Sequence, residues 1–138
     1  MRYSQTLLEE ELKNRVGEDF FADYNYSTIK GRIDFSVADQ LTFMGEAIEY
    51  LWAEAKRGKG NLDLALVQLI LTIGRAQLQT KQVPPPYLGA FDAEHIYFIP
   101  YFKLHDIFSM NDFNWNVTPS DHTTKEFALL SERVQSII

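Results

Sequence analysis

Residues 31–37 read GRIDFSV, and residues 48–56 read IEYLWAEAK. In the first stretch Ile33, Phe35 and Val37 alternate with Arg32, Asp34 and Ser36, the period of a strand with one buried face. In the second, Tyr50, Leu51 and Trp52 suit a sheet interior, and Gly58-Lys59-Gly60 ends the run. Asp34 lies within an apolar strand, where a carboxylate is costly to bury unless it is paired or binds a metal. Glu54 and Lys56, two apart on a strand, project from the same face. If the two strands pair, Asp34 stands beside Glu54, and two carboxylates meet a lysine at one sheet edge. That set suits Mg²⁺, which takes a few hard oxygen ligands and keeps its other positions for water and a substrate phosphate. The lysine would orient a water and counter phosphate charge.

Working outward, residues 4–22 read as an amphipathic helix with Leu8, Leu12, Val16 and Phe20 along one face and Ser4 as its N-cap. Residues 23–30 hold a short strand at most. Ala38-Asp39-Gln40 reads as a turn, and Gly45 marks a bend or bulge. After the glycine-rich turn, Asn61 is an N-cap for a helix over 62–79 that is apolar nearly all round and so is buried on more than one side. Pro84-Pro85-Pro86 closes that region, and His95–Pro100 (HIYFIP) is a short strand. Residues 101–119 are aromatic and irregular. Thr123 with Glu126 forms a capping box for a last helix to about residue 137. The fold class expected is α/β, a small mixed sheet flanked by helices.

Composition narrows the classes. The chain has 138 residues, 46% hydrophobic and 23% charged, one domain's length with enough apolar content for a core. The absence of cysteine excludes a disulfide scaffold and a thiolate zinc site. No apolar run approaches the roughly 18 residues that would span a bilayer. The N-terminal stretch MRYSQTLLEEELKNR is too acidic for a signal peptide, so the cytoplasm is the expected compartment. The net charge of −6 argues against a free-standing, high-affinity nucleic-acid binder. Only residues 30–59, with five basic and five acidic side chains, escape the acidic excess. No P-loop and no G-x-S-x-G elbow occurs. His95, His105 and His122 lack metal-ligand spacing and read as packing or surface residues.

An E-x-K triplet alone is a weak signal, with about half a match expected by chance at this composition. A second one, Glu11-Leu12-Lys13, lies on a helix, where positions i and i+2 point apart. Only residues 54–56 end a strand, follow a strand-borne aspartate and precede a basic turn. In this setting the chain resembles the PD-(D/E)xK nuclease superfamily over about residues 4–100. The resemblance implies a restriction-endonuclease-like α-β-β-β-α-β core, with a C-terminal tail and helix over 101–138. It implies metal ligation by Asp34, Glu54 and the Ala55 carbonyl, and a catalytic Lys56. Ile33 stands where the family has proline. Members often add an acidic residue from the first helix, for which Glu11 is the candidate, and a glutamine after the lysine, for which it is Gln68. Lys30, Arg32, Arg57 and Lys59 would touch DNA phosphates.

The overall pattern is similar to N-terminal nuclease domains of type II restriction–modification enzymes, where the nuclease is fused to a methyltransferase and a target-recognition domain. The expectation is then a Mg²⁺-dependent (or Mn²⁺-dependent) endodeoxyribonuclease domain, a fragment of a larger protein. Double-stranded DNA would be held mainly by those other domains, and the aromatic tail would pack on one of them. The rivals are a catalytically degenerate docking or regulatory module of the same fold, and a stand-alone repair nuclease. For Asp34, Glu54 and Lys56 the bland alternative is a buried structural ion pair.

Overall fold

A computed structural model describes residues 3–4, 6–27, 35–43, 46–58, 61–77, 84–110 and 112–137. The expectations for Lys30, Arg32, Asp34, Gly45 and Lys59 concern positions outside the described residues. The elements run α1 (Glu9–Phe20), β1 (Asn25–Ser27), β2 (Phe35–Phe43), β3 (Glu46–Ala55), α2 (Leu62–Gln77), β4 (Tyr87–Phe91), β5 (Ile96–Pro100), a 3-10 turn (Tyr101–Lys103), α3 (His105–Phe108) and α4 (Lys125–Ile137). The five strands form one mixed sheet in the order β1-β2-β3-β4-β5. Among the described strands only β3 and β4 are parallel, joined through α2; the other neighbours are antiparallel. The molecule is therefore mixed α/β, with helices on the sheet.

Alternation along β3 assigns the two faces. Leu51, Ala53 and Ala55 are buried with Phe35, Val37 and Phe91 against Leu12 and Val16 of α1. Trp52 belongs to the other face, with Leu88, Ala90 and Ile99 under α2. Helix α2 is apolar all round because it is buried twice. Sheet residues cover one side, and Phe127, Leu130 and Val134 of α4 belong to the same core. Asn61 caps it as expected, its Oδ1 accepting the Leu64 N–H at 3.3 Å.

Several expectations need correction. The first helix starts at Glu9, and Leu8 is its N-cap with no side-chain cap. Ser4 instead closes a local turn, its Oγ accepting the Thr6 N–H. Leu8 and Phe20 are about half exposed, so the buried stripe of α1 is Leu12, Lys13, Val16 and Gly17. Ala38-Asp39-Gln40 is not a turn: it continues β2, and the register against β3 shifts on either side of Ala38. A shift of this kind bends a strand without ending it. The strand that follows α2 is β4, which the sequence reading passed over. Its five residues follow three prolines and include Gly89, too short and too uniformly buried to show alternation.

The C-terminal third is the largest correction. Its aromatic segment packs on this chain's own core: Leu104, Ile107, Trp115 and Val117 join the α2 cluster. Of the aromatics between residues 97 and 102, Tyr97 packs on that cluster, while Phe98 and Phe102 are exposed. The last helix is capped by Thr124, whose Oγ1 accepts the Phe127 N–H at 3.1 Å, whereas Thr123 bonds to Asp121. Among the described residues no helix is long and apolar enough to cross a membrane.

Candidate functional site

Parallel pairing fixes where β3 delivers its last residues. The Lys56 N–H donates to the Phe91 carbonyl at 2.9 Å, and the Ala93 N–H donates to the Gly58 carbonyl at 2.8 Å. The exits of β3 and β4 are thereby tied together. Gly58 takes a positive φ of 66°, a conformation a side chain would strain, and turns the chain away just past Lys56. The lysine thus stands at the C-terminal edge of two parallel strands, where open α/β sheets gather their ligand sites.

On the α2 face, Glu54 and Lys56 follow Trp52 at intervals of two. The Lys56 ammonium is 3.4 Å from the Glu54 carboxylate, and both side chains are largely but not fully covered. Lys56 Nζ also donates to Gln68 Oε1 at 3.0 Å. Gln68 is the one polar side chain within the apolar run 64–71 of α2, and the contact accounts for it: it faces the strand lysine. Glu54, Lys56 and Gln68 are therefore brought together. An ammonium has only donors, so Glu54 and Gln68 direct two of its three hydrogens.

The remaining sequence candidates are distributed as follows. Glu11 is exposed on α1. Its neighbour Glu9 reaches the strand exit instead, accepting the Arg57 N–H at 3.3 Å, while Glu10 pairs with Lys13 at 2.8 Å. Arg57 is exposed, and its guanidinium donates to the Thr6 carbonyl at 3.4 Å. Among the described residues no group of three His, Asp or Glu converges on a metal-sized site. Among the described residues, the carboxylate of Glu54 and the carbonyl of Ala55 are oxygen donors at the edge. Mg²⁺ binds through one or two carboxylates and keeps waters and phosphate oxygens for the rest, so a sparse donor set of this kind fits it.

Two features escaped the sequence reading. Asp92, at the start of the β4–β5 turn, is 1% exposed; its Oδ1 accepts the Glu94 and His95 N–H groups, both at 2.8 Å. An Asp two residues before the amide it caps is a readable turn signal. His122, three positions before the start of α4, lies 3.1 Å from Gln68 through their Nε2 atoms and stacks on Phe127. With the partners 54 positions apart, no local spacing could reveal that contact. A separate groove of about 550 Å³, lined by Phe21, Tyr24, Tyr50, Tyr87 and Phe98, opens on the α1 face toward the other end of β3, away from Lys56. Comparisons with family models, with curated proteins and with solved structures found no match.

Proposed function

We propose that the chain is a restriction-endonuclease-like domain that hydrolyses DNA phosphodiesters with Mg²⁺ or Mn²⁺, working in the cytoplasm as part of a restriction–modification enzyme. The observation that carries the reading is the meeting of Glu54, Lys56 and Gln68 at the edge of parallel β3 and β4. Phe35 pairs with Ala53, and Asp34 and Glu54 are the residues covalently next to that pair. The reading requires the alternation of β2 to extend one residue back, which would bring Asp34 onto the face of Glu54. Asp34, Glu54 and the Ala55 carbonyl would then hold the cation. When bound, it would supply charge neutralisation on the scissile phosphate and acidify water. Lys56 would orient the attacking water with its remaining hydrogen, and Gln68 would hold the ammonium in line. Lys30, Arg32, Arg57 and Lys59 would steady the DNA backbone, contacts that carry no sequence information. With a net charge of −6, the chain would leave most DNA affinity and all sequence choice to methyltransferase and target-recognition domains.

Nicking of supercoiled plasmid by the full chain with Mn²⁺ or Mg²⁺ tests this. Lys56→Ala and Asp34→Asn should each reduce nicking by about 10²-fold or more, the usual worth of a positioned proton-handling group, with little change in urea midpoint. Undiminished nicking by Lys56→Ala would remove the lysine from the mechanism. A degenerate docking module would instead show neither nicking nor any Mn²⁺-linked thermal stabilisation that depends on Asp34.

A further inference from the structure

The contact between Gln68 and His122 ties the candidate site to the start of α4. Lys56 Nζ can only donate, so the amide atom 3.0 Å from it is the oxygen of Gln68. The other end of that amide is an NH₂ group, which can only donate in turn. It lies 3.1 Å from His122 Nε2. That nitrogen must therefore accept, and the ring proton must reside on Nδ1. The orientation follows from hydrogen-bond chemistry, because a flipped amide would set its NH₂ against the ammonium. The ring itself is stacked on Phe127 at 4.3 Å between centroids, and Phe127 is buried in the core that α4 shares with α2.

We infer that His122 is a positioning residue: as a neutral Nδ1–H imidazole it fixes the Gln68 amide, and through it the direction of the Lys56 ammonium. The inference rests on the reading of Lys56 as the ammonium of a phosphodiesterase site. It adds a member from the C-terminal third that the strand–helix core does not contain. Without the imidazole acceptor the Gln68 amide would be free to rotate, and Lys56 would sample directions that do not face the reacting water.

The test has two arms. In the full chain with ¹⁵N-labelled histidine, long-range proton–nitrogen correlations should show His122 Nε2 as a bare nitrogen when the ring is neutral. Free histidine favours Nε2–H, and Lys56→Met should return His122 to that form while amide spectra confirm the fold. A protonated Nε2 in the parent chain, or a tautomer indifferent to Lys56→Met, overturns the inference. In the second arm, His122→Phe keeps the stacking surface and removes the acceptor. It should lower the Mn²⁺-dependent nicking rate about tenfold, the worth of one hydrogen bond in a charged network, at unchanged DNA affinity. His122→Gln, which restores a carbonyl acceptor, should recover most of the loss. An active parent whose rate is untouched by His122→Phe overturns the positioning role. An inactive parent would sink the nuclease reading, and the tautomer would still decide whether the network exists.

Discussion

Each face of the sheet carries a helix with an aromatic ring seated where a glycine lacks its Cβ, yet the two faces are built to different depths. On one, Gly74 of α2 receives the Trp115 ring, and α4 and the segment 101–119 lie over the same core. On the other, Gly17 of α1 receives the Tyr26 ring, and among the described helices α1 is the one packed on that face, with the aromatic groove beside it. The same local device is a keystone on the thick face and a surface contact on the thin one. Lys56, Gln68 and His122 are all on the thick face, Gln68 on buried α2 and His122 exposed beside Phe127. The role proposed for Lys56 calls for rigid supports: Gln68 sits on α2, which packs into that core, and the exposed His122 ring is held by stacking on buried Phe127.

The contrast is tested most strongly in the two cores themselves. Leu66 of α2 and Leu12 of α1 are both 0% exposed. Leu66→Ala should cost roughly 4 kcal/mol, because neighbours on several sides keep the cavity open, and Leu12→Ala roughly 2 kcal/mol, because a thin face collapses into it. Urea unfolding of both variants gives the difference. Equal losses would mean that the two faces are equally rigid and would break the comparison.

A smaller effect comes from the two glycines. An alanine at either position gains about 1 kcal/mol of helix propensity. At Gly74 the methyl would meet the buried Trp115 ring, and overpacking costs of about 1–3 kcal/mol should leave Gly74→Ala destabilised overall. At Gly17 it would meet the half-buried ring of Tyr26 on the three-residue edge strand β1, which can shift. Gly17→Ala should then change stability by less than about 0.5 kcal/mol. Thermal melts of the pair read the sign directly. A stabilised Gly74→Ala would show that Trp115 is not held in place by its surroundings.

The thin face was the more legible of the two in the sequence. Its signals are local: the alternation of GRIDFSV and the helical spacing of Leu12 and Val16. On the thick face the pairing of Glu54 with Lys56, at an interval of two, is local too. Gln68 was readable as well, because a lone amide in an apolar helix asks for a partner. The thick face depends on contacts far apart in the chain. Trp115 reaches Gly74 and His122 reaches Gln68 across 41 and 54 residues, and no periodicity encodes either. Strand β4 was hidden for a different reason. Both of its faces are covered, so the alternation that betrays a half-buried strand is missing. On α1, the helical spacing marks Glu9 and Glu11 equally, and only the position of the β3 exit distinguishes them.

The subtlest difference between the faces lies at the two ends of the pH scale. On the thick face, Arg133 of α4 grips Asp106 of α3 with two hydrogen bonds, 2.8 and 2.9 Å, and these hold the Asp106 carboxyl below the usual aspartate range. A carboxylate whose folded value is depressed contributes stability above its unfolded value, and that contribution is lost as pH falls through the folded one. On the thin face, partial burial and then the hydrogen bond to Asp19 push the Tyr3 hydroxyl well above the usual tyrosine range. A group raised in the fold contributes fully below its unfolded value and loses that contribution as pH rises through the folded one. Asp106→Asn should therefore lower the urea midpoint slightly near neutrality and match the parent once the pH drops well below about 4. Tyr3→Phe should also lower it slightly near neutrality, with the deficit shrinking as the pH climbs beyond about 10. Acid would thus loosen the tie between α3 and α4, and strong base the Tyr3 contact to α1. A deficit for either variant that stays constant across the whole pH range would show that its bond carries no differential proton binding, whatever its length.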